Sequence, residues 1–142
     1  MSSPAILQGG YVLPLSRSFT QMLLGIVAQK PPHRHPITGL TINFRDPEYS
    51  PETGGWHPVE IRLTPAGEDW QLNYVTDFHY AGHPWPELEK DVDVSWTHQY
   101  TWLSRCGDIS HADAREFWSL WESNFMTYHD MGVFTVRTLW ES

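Results

Sequence analysis

The segment PELEKDVDVSW, residues 86–96, sets Glu87, Glu89, Asp91 and Asp93 at every second position beside Leu88, Val92, Val94 and Trp96. Carboxylates in such a row can coordinate a hard cation, act as an acid–base pair, or dock a basic partner. On a strand, alternate residues lie about 6.5–7 Å apart and face the same way. A calcium loop instead curls round its ion with a glycine at the turn and a distal bidentate Glu, and this stretch has neither. A glycosidase-type pair must face across a cleft, whereas neighbouring acids of one strand point in parallel. The segment therefore reads as the wet face of a strand, keeping the protein soluble and blunting an edge. Like charges at this spacing destabilise unless something offsets them, so the same face is a candidate docking surface for a basic protein partner. Asp77 is placed with it, on a neighbouring strand.

The remaining reactive residues are scattered. His33 and His35 flank Arg34 in a Pro-rich linker, His79 and His83 bracket a turn, and His57, His98, His111 and His129 stand alone. No HExxH or Cys/His cluster marks a metal, and Cys106 has no second thiol. A site made of His79, His83 and Asp77, with Glu87 in reach of the histidine pair, would make a small metal-dependent hydrolase, and an aromatic-lined cavity a small-molecule binder. These are the runner-up readings. His98 shares parity with its strand's tryptophans and is expected to be at least partly buried. Cys106 could be activated near a helix start, although a plain structural cysteine is the simpler reading. There is no G-x-S-x-G elbow, Gly-rich phosphate loop or G-x-G-x-x-G. No catalytic residue, metal or cofactor is assigned, and a non-enzymatic role is favoured. Trp56 and Trp85 sit in loops beside proline, where an exposed tryptophan marks an interaction hot spot.

These residues belong to 142 that are 40 % hydrophobic and 14 % aromatic, with eight tryptophans. A chain of this size buries roughly two-thirds of its unfolded surface, and one domain over residues 1–142 is expected. With 17 acidic against 9 basic residues the formal charge is −8, which repels phosphate backbones, so no nucleic acid partner is expected. The longest apolar run, MLLGIVA, is far shorter than the roughly 20 residues of a membrane span. No membrane partner is expected, and the lone cysteine and lack of a signal-peptide pattern fit a bacterial cytoplasm.

The elements that must position the candidates follow from periodicity. Residues 1–15 read as an irregular arm. Ser16 caps a helix over 16–29, in which Phe19, Leu23, Ile26 and Val27 recur at helical spacing until Pro31-Pro32. Leu40, Ile42 and Phe44 alternate with polar residues in a strand, and a long loop runs from Asp46 to Pro58. Residues 59–80 read as a hairpin turning at PAGED, with Val59, Ile61 and Leu63 on one face and Trp70, Leu72, Tyr74, Phe78 and Tyr80 in period two. A long alternating segment then gives Val92, Val94, Trp96, Tyr100 and Trp102 one parity. Ser110 caps a second helix over 110–128, and VFTVRTLW closes the chain as a strand. No strand–helix units repeat, so the class is α+β: a twisted, mainly antiparallel sheet flanked by an N-terminal helix and a helix in the C-terminal region, with a closing strand at the C-terminus.

Three of these segments, ITGLTINFRDPEYSPETGGWHPVEIRL, WQLNYVTDF and PELEKDVDVSW, resemble a family of small proteins from vibrios and related gammaproteobacteria, domain of unknown function 2787, some of them encoded on genomic islands. The similarity spans about Ile37 to Trp140. It implies a fold similar to the mitochondrial acidic matrix protein that binds complement globular heads, an antiparallel sheet with terminal helices. Those proteins form ring-shaped trimers whose acidic faces bind many partners, so the resemblance implies a homo-oligomer, although this chain lacks a coiled-coil seam to secure a ring. It supplies no catalytic residues. The favoured function is a protein-binding or adaptor module using Glu87, Glu89, Asp91, Asp93 and Asp77 with Trp56 and Trp85.

Overall fold

The computed structural model describes residues 3–32 and 35–142, so His33 and Arg34 of the Pro-rich linker lie outside the described residues. Helix α1 (Arg17–Val27) starts where Ser16 Oγ accepts the Phe19 N–H at 3.2 Å. Helix α2 (His111–Asp130) starts likewise, with Ser110 Oγ accepting from Asp113 N at 3.1 Å. Each cap satisfies one of the N–H groups that a helix start leaves without a partner.

The strands are β1 (Ile6–Leu7), β2 (Gly39–Arg45), β3 (Val59–Ala66), β4 (Asp69–Ala81), β5 (Glu87–Ser95), β6 (Tyr100–Leu103), β7 (Gly107–Asp108) and β8 (Thr135–Glu141). They form one sheet in the order β7-β6-β5-β4-β3-β2-β8, with every neighbour on that path antiparallel. The architecture is thus α+β with a mainly antiparallel sheet, and the closing strand pairs with β2 from Gly39↔Glu141 to Arg45↔Thr135. Among the described residues no helix is long and apolar enough to cross a membrane.

Three local features depart from simple alternation. The arm is not wholly irregular: Ile6 and Leu7 pair in parallel with Trp70 and Gln71, and Tyr11 and Leu13 are buried. On β4 the register slips between Arg62↔Tyr74 and Leu63↔Leu72, leaving Asn73 as an extra residue. A bulge moves the residues beyond it to the other face, so Val75 and Asp77, rather than Tyr74 and Phe78, continue the inward row begun by Trp70 and Leu72. Finally, Trp96 to Gln99 form a turn, with Gln99 at a left-handed φ of 58°. Trp96 stays in the core and His98 is exposed, contrary to its shared parity, while Tyr100 and Trp102 on β6 pair with Ser95 and Asp93.

The helices cover the face carrying Leu40, Ile42, Phe44, Val59, Ile61, Leu63, Leu72 and Val75, all buried. Helix α2 contributes rings spaced three or four residues apart, as a helix face requires. Trp118 stacks on Trp121 at 5.4 Å, Trp121 on Phe125 at 5.1 Å and Phe125 on His129 at 6.3 Å, with interplanar angles of 16°, 9° and 15°. Phe44 meets Phe125 edge-on at 5.1 Å. Each such pair adds about 0.5–1.5 kcal/mol beyond the area it buries.

Glu122, on the same helix, is buried and accepts the Ser16 backbone N–H at 2.9 Å, so it ties α2 to the start of α1. Burial raises its pKa above the ordinary 4.5, and the hydrogen bonds from Ser16 only partly oppose the shift. The folded state therefore holds a proton that the unfolded chain has already released, and stability falls as pH rises from the ordinary carboxylate value through the raised one. Glu122→Gln keeps an acceptor for Ser16 and removes the charge. Urea unfolding across this pH range is expected to show a flatter profile for the variant and greater stability than the parent at pH 7.

Candidate functional site

Loop 46–58 carries Trp56 and His57 to the mouth of a cleft, and its sequence explains its path. Asp46 Oδ1 accepts from Glu48 N at 2.9 Å and its Oδ2 from Trp56 N at 3.1 Å, so one carboxylate closes the loop at both ends. Ser50 and Gly54 pair their backbones in between. At Gly55 φ is 139°, and a Cβ there would lie 2.6 Å from Asp46 Oδ2 and 3.1 Å from Tyr49 Cα. Only glycine fits without strain.

Under the loop, Asp77 lies between Val59 of β3 and Val92 of β5 with 9 % of its surface exposed. A carboxylate so placed needs donors. His57 Nδ1 donates to its Oδ1 at 2.7 Å and the Trp121 indole to its Oδ2 at 2.9 Å. The hydrogen bond to Asp77, helped by the charges of Asp77 and Asp91, raises the His57 pKa above 6.5 against the opposing effect of burial. Proximity to a carboxylate favours the charged imidazolium in just this way.

Asp91 reaches the same place through a second bulge. Pairing runs from Asp77↔Val92 directly to Phe78↔Lys90, and Asp91 is the residue left over. Its Oδ2 lies 3.6 Å from His57 Nδ1, and its Oδ1 accepts from Ser104 Oγ at 2.5 Å and lies 3.9 Å from His79 Nδ1. Asp93 goes elsewhere: it is buried and accepts from Thr76 Oγ1 at 2.8 Å and from the Tyr100 hydroxyl at 2.7 Å. Burial and this bond to Asp93 push the Tyr100 pKa up to about 12. The expected stripe of four parallel carboxylates is therefore not what β5 presents. Glu87 and Glu89 are exposed near the hairpin tip, Asp91 turns to the histidines, and Asp93 is consumed by internal hydrogen bonds.

Beside the cluster is a cavity of about 250 Å³ lined by Trp56, His57, Asp77, Trp121, Phe125 and Tyr128. The Trp56 and Tyr128 rings lie 5.6 Å apart at its mouth. Its lining is mainly aromatic and apolar with a few polar groups, His57 and Asp77 among them, the usual composition of a ligand site. Of the residues expected to act together, Asp77 and Trp56 line this cavity and His79 stands next to it. His83 lies outside in the exposed segment 82–90 with Trp85, and Glu87 pairs with Ala81 further along the hairpin. Cys106 is exposed in the turn before Gly107. His57 and Trp121 are the members that the sequence did not single out: they stand 20 and 44 residues from Asp77, and no local motif links them.

Residues 17–138 match the family described as protein of unknown function (DUF2787). The chain belongs to this family. The chain is 33 % identical to VC1805, a conserved hypothetical protein from pathogenicity island VPI-2 of Vibrio cholerae. That match has a TM-score of 0.80 and covers 94 % of this chain and 99 % of that one. VC1805 is described as sharing structural homology with the human P32 protein. A second solved protein, VC0508 from the VSP-II pathogenicity island of Vibrio cholerae, is 32 % identical with a TM-score of 0.77, over 89 % of this chain and 95 % of that one. No curated protein is significantly similar to the chain. In this DUF2787 member, the loop that brings His57 to Asp77 depends on the backbone at Gly55. Gly55→Ala is expected to cost about 1–3 kcal/mol in denaturant unfolding, from its unfavourable φ and the clash with Asp46. Gly54→Ala, where a Cβ meets nothing within 4 Å, is expected to cost less, about 1 kcal/mol.

Proposed function

We propose that this protein is a non-enzymatic binding module that docks a basic protein partner on the tip of the β4–β5 hairpin. One observation carries the reading: every residue from Gly82 to Lys90 is exposed, and Trp85 shows 83 % of its surface. Among the described residues, Glu87 and Glu89 make no ion pair or side-chain hydrogen bond. A bare tryptophan beside unneutralised carboxylates offers a partner both an apolar anchor and charge complementarity. The overall charge of −8 reinforces attraction to a basic surface at a distance.

The docking residues are then Trp85, Glu87 and Glu89. Asp77, Asp91 and Asp93 support the hairpin from inside, and Trp56 serves the neighbouring cavity. The likeness of a solved relative to human P32 is in keeping with a role in binding. A bacterial cytoplasm is the compartment assigned, since the exposed thiol of Cys106 stays reduced there.

Capture from a host lysate by the native protein and by Trp85→Ala/Glu87→Gln/Glu89→Gln, at low and moderate salt, tests the reading. Partners bound by the native protein are expected to weaken with salt and to disappear with the variant. An identical set of partners on both proteins removes the hairpin as the docking site.

A further inference from the structure

The cluster beside the cavity has a feature that ion pairing does not explain. His57, Asp77 and Asp91 come from a loop and two strands, and they bring one donor atom each within 4.8 Å of one another. Two carboxylates share one imidazole. Among the described residues no lysine or arginine reaches either acid, and the other nearby base is His79, 3.9 Å from Asp91. Even with His57 protonated, the trio carries a net negative charge in a partly buried place, with side chains 36 %, 12 % and 27 % exposed. Such a residual charge is costly without a counter-ion.

The geometry suits a cation that bonds all three. Ligands held at 2.0–2.1 Å by a tetrahedral ion lie roughly 3.3 Å apart, and the observed contacts of 2.7 Å and 3.6 Å from His57 Nδ1 bracket that distance. The second oxygen of each carboxylate is already fixed, Asp77 Oδ2 by the Trp121 indole and Asp91 Oδ1 by the Ser104 hydroxyl. Asp77 Oδ1 and Asp91 Oδ2 are left turned toward His57. Donors of this kind behind the ligating atoms are what orient metal ligands in proteins. The donor set of one imidazole and two carboxylates suits a borderline transition ion, because Ca²⁺ takes six to eight oxygens and Mg²⁺ demands an octahedron of oxygens. His57 and Asp77 also line the cavity, so a fourth coordination position would face it.

We propose that His57, Asp77 and Asp91 form a site for a divalent transition ion of the Zn²⁺ class, with its open position toward the aromatic-lined cavity. This proposal uses none of the docking residues at the hairpin tip, Trp85, Glu87 and Glu89, although Asp77 and Asp91 stand on the two strands of that hairpin.

Chelator-treated full-length protein titrated with Zn²⁺ against a chromophoric competitor is expected to bind one equivalent, with micromolar affinity or tighter, and excess Ca²⁺ is expected not to compete. His57→Gln and Asp91→Asn should each weaken binding more than about 100-fold, and Trp121→Phe, which keeps an aromatic ring and removes the indole donor behind Asp77, by about 10–100-fold. His83→Gln should leave binding unchanged. Near-UV circular dichroism checks that each variant is folded. In the native chain, Co²⁺ should broaden the ring signals of His57 and His79 before any other histidine, which locates the ion without a substitution. Absence of stoichiometric Zn²⁺ binding, binding that survives in folded His57→Gln and Asp91→Asn, or broadening centred on His83 overturns the proposal.

Discussion

A carboxylate at the edge of an apolar core has to be given donors, and Asp77 draws its donors from two different parts of the chain. It sits on β4 among Val59 and Val92, is bound on one side by His57 from the long loop, and on the other by Trp121 from α2. Unpaired, it would carry a desolvation cost of several kcal/mol. Loop 46–58 and the middle of α2 are therefore fixed to the sheet by the same group, and the cavity is the space left where they approach without closing. Trp121 is held in turn by its neighbours in the α2 ring row, so the direction of its indole N–H follows from packing as well as from the bond it makes.

Two single-residue bulges decide which side chains meet. The extra residue at Asn73 turns Asp77 inward, and the extra residue at Asp91 turns a second carboxylate to the same side. Regular alternation would have placed Asp91 with Asp93, on the face where Thr76 and Tyr100 bind the latter. Much of the fold was legible because its signals are local. Ser16 and Ser110 are caps readable from residue type, 40–45 and 59–64 alternate cleanly, and the apolar residues of α2 recur at helical spacing. The cluster was not legible, because a bulge in WQLNYVTDFHY has no mark of its own and strict period two sends Asp77 outward. Asp91 left the expected stripe for the same reason, whereas Asp93 kept its face and was lost to it because Thr76 and Tyr100 bind it.

The acidic composition also divides once burial is known. Asp77, Asp91, Asp93 and Glu122 each bind donors inside the molecule or at its seams, whereas Glu87 and Glu89 face water. Net charge alone treats these groups alike. Only the second kind is free to attract a partner, and the first kind acts on the fold, each carboxylate joining segments far apart in sequence.

Tryptophan follows a similar division, and the fate of the indole N–H reveals it. Trp96 donates to Leu13 O at 3.3 Å and Trp118 to Pro14 O at 3.0 Å, so two core rings reach out of their elements to hold the N-terminal arm. The Tyr11 hydroxyl adds a bond of 2.7 Å to Thr101 Oγ1, in the buried part of β6. An arm rich in Gly and Pro carries little regular pairing and leaves backbone carbonyls near the core that water cannot reach. Donors from large rings satisfy them while the same rings bury apolar area. This is why a segment whose composition predicts irregular chain is nonetheless closed against the sheet, and why aromatic content matters here for its hydrogen bonds as much as for its bulk.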